Sequence, residues 1–221
     1  MNKAWSEQNK KMQALLKKAT FQQAKEELLS LRHTLAAEMR SWRAVLSDAD
    51  YSQIPFINAE GYHSKTVAYS IWHIMRIEDI VVNSLIRDQE EILAAGDFRA
   101  KTASPIITTG NELAKEEIAA FSRQLRIDAL YEYAEAVRES TDAWLQSLEY
   151  EALKRRFSEA DKDRIRRLQV ISPEENASWL IDYWCSKDVA GLLKMPLSRH
   201  WIMHIEAAER IIARIRRMDK S

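Results

Sequence analysis

The chain reads as an all-α protein: an antiparallel four-helix bundle, with extra short helices at the amino terminus and between the third and fourth long helices. Three observations predict this. Only four glycines and four prolines occur in 221 residues, so helix breakers are scarce where Ala, Leu, Glu, Lys and Arg abound. Apolar residues recur at three- and four-residue spacing through several long stretches, as one buried helix face requires. The glycines form no phosphate-binding loop, which removes a dinucleotide-binding or P-loop enzyme from consideration. The length fits one large domain: a core over about 28–218, a helical extension over 1–20, and an insertion of short helices over 150–194.

Residues 4–19 read as a short amphipathic helix carrying Trp5, Met12, Leu15 and Leu16. The first long helix follows, with Leu28, Leu31, Leu35, Met39, Trp42 and Leu46 along one face and His33 on the opposite, solvent side. Pro55 and Gly61 interrupt the pattern in a loop that crosses one end of the bundle, where His63 is expected at the surface. Ser64 is the expected N-cap of the second long helix. That helix, "KTVAYSIWHIMRIEDIVVNSLIRDQEEIL", lays Val67, Ile71, Ile74, Val81 and Leu85 in a stripe, with His73 at its margin.

Glu78 projects from the middle of that stripe. An unpaired buried carboxylate is costly, so Glu78 needs either a cationic or hydrogen-bonding partner on a neighbouring helix or a place beside a bound cation. A polar connection leads to two helical segments, 111–123 and 126–148, the second carrying Leu130, Tyr133, Ala134, Val137, Trp144 and Leu148. Shorter pieces fill 150–194, with Ser172 and Pro173 as a cap and first-turn pair. Pro196 is expected to open the final helix, which ends near Met218.

Charge narrows the function. The 33 basic and 33 acidic residues cancel, which argues against nucleic acid as a partner. The basic stretch "KRRFSEADKDRIRR" is interleaved with acids and reads as a solvated helix face. A single cysteine, Cys185, excludes an internal disulfide framework, suits a reducing compartment and reads as a packing residue. No stretch has the apolar length of a signal peptide or a membrane span, so a cytoplasmic protein with no membrane partner is expected.

The final helix, "MPLSRHWIMHIEAAERIIARIRR", places His200 and His204 on one face with Ala207, Ile211 and Ile215. Four-residue spacing brings both imidazoles onto adjacent turns, within reach of one ion. The sequence between them lacks the glutamate that zinc proteases use as general base. A pair is half a metal site. His73 supplies a third imidazole, and three such ligands leave positions on a divalent ion open to water or substrate.

"YSIWHIMRIEDIVVN" on the second helix together with "LSRHWIMHIEAAERI" on the last resembles the DinB/YfiT-like superfamily of metal-binding four-helix bundles, over roughly Leu28 to Met218. The resemblance implies a divalent metal, zinc or nickel foremost, held by His73, His200 and His204. It also implies kinship with transferases and isomerases that use a low-molecular-weight thiol, such as bacillithiol, mycothiol or glutathione, against an electrophilic small molecule. The 150–194 stretch is longer than the family's usual connection and is expected to bear on access to the site.

Within that frame Glu78 is the candidate to orient a ligand or move a proton, and Trp72 and Trp201 are candidates to wall the pocket. A metal held by three imidazoles can favour a thiolate or activate water, so an S-transferase and a hydrolase both fit. The competing class is non-catalytic: a metal-stabilised stress or interaction protein, working as a homodimer, in which the ion ties two helices together.

Overall fold

A computed structural model of the chain describes residues 2–218. Residue 1 and residues 219–221 of the expected domain lie outside them. Eleven α-helices run in the order α1 (Lys3–Ala14), α2 (Phe21–Ser41), α3 (Val67–Asp79), α4 (Ile92–Ala95), α5 (Phe98–Thr102), α6 (Glu116–Gln124), α7 (Ile127–Ser147), α8 (Glu159–Leu168), α9 (Glu175–Cys185), α10 (Val189–Lys194) and α11 (Arg199–Met218). No strand forms among the described residues; the extended backbone there pairs as an isolated bridge between Arg156 and Asp188. No described helix is long and apolar enough to cross a membrane.

The four helices that carry the core are α2, α3, α7 and α11. Helix α2 packs on α7 and α11, and α3 packs on the same two. Leu31, Leu35, Met39, Ile71, Ile74, Val137, Ile205 and Ile211 meet in one apolar cluster. A second cluster gathers Leu28, Ile77, Val81 and Leu145 with α9 and α10, through Leu180, Trp184 and Leu192. Helix α1 lies on α2, as its apolar face predicts.

The second long helix departs most from its expected form. Every residue from Val67 to Ile86 is buried, so α3 has no solvent face. Its polar residues turn inward and find partners there. The helix does not run to Leu93 either. It widens into a π-helix over Ile80–Arg87, with hydrogen bonds reaching one residue further, and ends at Asp88 in the left-handed region (φ 54°). Asp79 then draws the chain back, its carboxylate accepting from the Ile92 and Leu93 amides at 2.8 and 2.9 Å.

Cap positions also shift from the sequence expectations. Thr66, not Ser64, caps α3 by accepting from the Tyr69 amide at 3.0 Å, while Ser64 donates to the Gly61 carbonyl. Helix α6 starts at Glu116 rather than near Asn111, which sits in the preceding turn. Ser172 accepts from the Glu174 amide, but α9 begins at Glu175. Helix α11 starts at Arg199 rather than at Pro196: the Ser198 carbonyl accepts from the Ile202 amide at 3.3 Å, while the Ser198 hydroxyl donates to the carbonyls that end α10, at Leu193 and Lys194.

The mixed-charge stretch behaves as its pattern predicts. Helix α8 buries Ile165 alone, opens on a capping box between Ser158 and Asp161, and spends its charges on exposed pairs such as Arg166–Asp163 and Lys162–Glu159.

A candidate metal centre

His73 from α3 and His200 and His204 from α11 converge in the interior, each no more than 6% exposed. Their ring centroids stand 5.1 Å (His73–His200), 4.7 Å (His73–His204) and 4.5 Å (His200–His204) apart. One nitrogen from each ring falls within 4.8 Å of the other two. Donors that share one ion at about 2.0–2.1 Å each stand no more than about 4.2 Å apart, so a small turn of the rings closes the group on a metal.

Protonation state agrees with that use. Burial pushes the His73 imidazole down to about 4, a trend that the nearby Lys65 ammonium reinforces and a backbone hydrogen bond opposes. Burial, and then the neighbouring imidazoles, hold His200 and His204 well below the ordinary value. All three rings are therefore neutral near pH 7, the form that ligates metal.

The hydrogen bonds fix one tautomer. His73 Nδ1 lies 2.8 Å from the Thr109 carbonyl. A carbonyl only accepts, so Nδ1 carries the proton and Nε2 keeps the free lone pair. The backbone partner orients the ring as outer-shell partners of metal-bound imidazoles do. On the other two rings, His200 Nδ1 and both nitrogens of His204 are buried with no hydrogen-bond partner. Buried polar atoms rarely go unsatisfied, and a metal ion is the kind of partner that lone pairs converging from three neutral rings would take. The residues present fit the group.

The Thr109 carbonyl belongs to a larger arrangement. Four consecutive carbonyls, Ile107 to Gly110, accept from side chains on one face of α3: Arg76 (3.0 and 2.6 Å), Trp72 (3.0 Å), His73 (2.8 Å) and Tyr69 (3.0 Å). Positions 69, 72, 73 and 76 follow the i, i+3, i+4, i+7 spacing of one helix face. Gly110 makes the close approach possible: its φ is +79°, and a Cβ there would meet the Tyr69 ring at 3.0 Å. Tyr69 in turn stacks on His73, centroids 5.4 Å apart and planes 11° from parallel.

A cleft of about 450 Å³ opens onto the three imidazoles. Its aromatic walls are Tyr62, Tyr69, Trp179, Tyr183 and Trp184. Three of these come from α9, so the 150–194 insertion forms one side of the approach to the histidines. Tyr62, from the loop before α3, stands edge-on to His204 at 4.7 Å.

Trp72 and Trp201 do not line this cleft. Trp72 is buried against Phe121 and Tyr133 with its indole N–H on Thr108, and Trp201 donates to Glu78. Both indole N–H groups needed buried acceptors, and those acceptors lie away from the cleft.

Glu78 is fully buried and fully engaged. Arg32 of α2 grips both its oxygens at 2.7 and 2.8 Å, and Trp201 Nε1 reaches Oε2 at 2.8 Å. Arg32 also donates to Asp142 of α7 at 2.7 Å and lies over the Trp201 ring at 4.9 Å. Burial works against the Arg32 charge, but the Glu78 and Asp142 carboxylates outweigh it and raise its pKa. One guanidinium thus ties together α2, α3, α7 and α11. Arg32 had a sequence signal, since it stands four residues after Leu28 and three before Leu35 on the apolar face of α2.

The remaining histidines stay outside the centre. His33 is exposed, with Nε2 3.1 Å from Asp142, and His63 contacts Arg210 at 2.5 Å. Cys185 is buried in the second apolar cluster, and burial pushes its thiol up to about 11. That is a packing cysteine and not a thiolate nucleophile.

No family model matches the chain, and no curated protein matches it.

Proposed function

We propose that His73, His200 and His204 hold one divalent metal ion, zinc or nickel, and that the protein is a metal-dependent enzyme of the DinB-like type built on an antiparallel four-helix bundle. The observation that carries this is the set of three neutral, buried imidazoles at the foot of a cleft, with one nitrogen of each within 4.8 Å of the others and unsatisfied nitrogens on His200 and His204. The resemblance of the α3 and α11 sequences to that superfamily supports the same reading.

A divalent ion in such a site supplies Lewis acidity, which favours a thiolate or a hydroxide near neutral pH. The chain's own residues do the rest. Thr109 holds the His73 ring by its protonated nitrogen. Tyr69 and Tyr62 fix two of the imidazoles by ring contact. Trp179, Tyr183 and Trp184 exclude water from one side of the cleft, which strengthens electrostatic interactions inside it. With both oxygens committed to Arg32 and Trp201, Glu78 acts as a positioning residue that locks α11 against α3.

We favour a thiol-dependent transfer, in which a low-molecular-weight thiol and an electrophilic small molecule meet in the cleft. The open approach to the histidines favours an enzyme over an ion that only ties helices together. All three ligands come from one chain, so the site does not wait on a partner copy.

Elemental analysis of untagged protein tests the site. About one ion per chain is expected in the wild type, with loss in both His73→Ala and His204→Ala. A wild type that holds no metal, and takes up neither zinc nor nickel on titration, would make the histidines packing residues and leave an interaction protein as the better account.

A further inference from the structure

The cleft contains one charge that nothing balances. Lys65 lines it, half-buried, two residues before α3 begins. Its ammonium lies 4.8 Å over the Tyr69 ring and makes no hydrogen bond or ion pair with a described residue. Burial lowers its pKa, and its charge reaches both His73 and His204, holding those imidazoles further toward neutrality. Lys65 therefore faces the same space as the three rings.

The buried cations elsewhere are treated differently. Arg32 meets Glu78 and Asp142; Arg76 meets Asp79 and Glu91. Among the described residues that line the cleft there is no carboxylate at all. Glu112, outside the lining, bears on the Tyr69 phenol and accepts a hydrogen bond from Thr108. Outside the lining, exposed Arg199 is a second positive charge that bears on the Tyr62 phenol. A partly desolvated ammonium with only a ring face for support is an incomplete ion pair.

We infer that the cleft binds a compact organic anion, its carboxylate on the Lys65 ammonium and its apolar body between Tyr62 and the α9 aromatics. A volume of about 450 Å³ suits a small molecule of this kind. The inference deepens the metal-centre reading, which places the ligand's reactive end toward the histidines, but the carboxylate anchor at Lys65 does not depend on the ion.

The test is calorimetric titration of 3-phenylpropionate and, as its neutral isostere, 3-phenylpropionamide into metal-free and zinc-loaded full-length protein. In the metal-free wild type the carboxylate is expected to bind about ten- to a hundredfold more tightly than the amide, as a charge-assisted hydrogen bond supports. Lys65→Met should erase that preference and Lys65→Arg should keep most of it, with circular dichroism showing that each variant folds.

Equal binding of the two probes to wild type, no binding of the carboxylate to either form at millimolar concentration, or a preference that survives in folded Lys65→Met would each overturn the inference. Failure to load zinc would strike the metal-centre reading alone, because the metal-free titrations still decide the role of Lys65.

Discussion

Two polar centres lie buried between α3 and α11, and they are built on opposite principles. Around Arg32 every charge has an answer: two carboxylates, an indole N–H and a carbonyl converge on one another within hydrogen-bonding distance. Around His73, three rings converge and three of their nitrogens have no partner. A saturated network costs little to keep buried and holds helices in register, whereas an unsaturated one is tolerated where something else must bind. On the proposed reading, the difference separates the part of the interior that holds the fold from the part that binds a ligand.

The largest expected effect breaks the saturated centre. Arg32→Met removes one cation and leaves the Glu78 carboxylate buried with only the Trp201 indole for a partner, while Asp142 keeps Arg138; this should cost about 3–5 kcal/mol in urea unfolding. A loss below about 1 kcal/mol would mean that the network is relaxed or hydrated and that the contrast is false.

Acid should act on the other centre, to a middling degree. Below an imidazole's ordinary value of 6.5 the unfolded chain takes up protons that folded, metal-free His73 resists until about pH 4. Its folded pKa is depressed, so stability is full above about pH 6.5 and is lost as pH falls toward 4, by on the order of 3 kcal/mol from this group. Unfolding free energies of metal-free protein across that window should fall more steeply in the wild type than in His73→Gln. Parallel slopes would show that the ring is not held neutral.

The smallest effect sharpens the comparison. His204→Leu in metal-free protein replaces two unsatisfied nitrogens by apolar atoms of similar volume, so stability should change by less than about 1 kcal/mol or rise. A loss of several kcal/mol would mean that the histidines, like Arg32, hold the fold. The same variant should gain nothing from added zinc, whereas the wild type should gain about 3 kcal/mol at a hundredfold excess over Kd.

Much of this was legible in the sequence, unevenly. Leu28, Leu31 and Leu35 announced the buried face of α2, and the spacing of His200 and His204 announced the face of α11 that carries the site. The same periodicity misled at α3, because apolar stripes are read on the assumption that polar residues face water. There Arg76, Asp79 and Asn83 pair with one another and with distant chain instead. The need of Glu78 for a partner was readable from its position, but its partner, 46 residues away, was not. The carbonyls of 107–110 and the α9 aromatics left no local signal at all, since a backbone acceptor looks alike at every residue and a wall is defined by what it faces.

The run of carbonyls from Ile107 to Gly110 has a consequence for how this segment tolerates change. Because α3 reads the backbone there, the side chains at 107, 108 and 109 take no part in holding Arg76, Trp72 and His73 and serve other contacts: Ile107 packs on both apolar clusters, Thr108 donates to Glu112 and buried Thr109 donates to Asn111. Length is another matter. Deleting a single residue would slide the acceptors out of step with the helix face and unseat the proton on His73 Nδ1 together with its neighbours. The segment works as a ruler whose spacing is fixed, and at Gly110 the last mark has room only for a hydrogen.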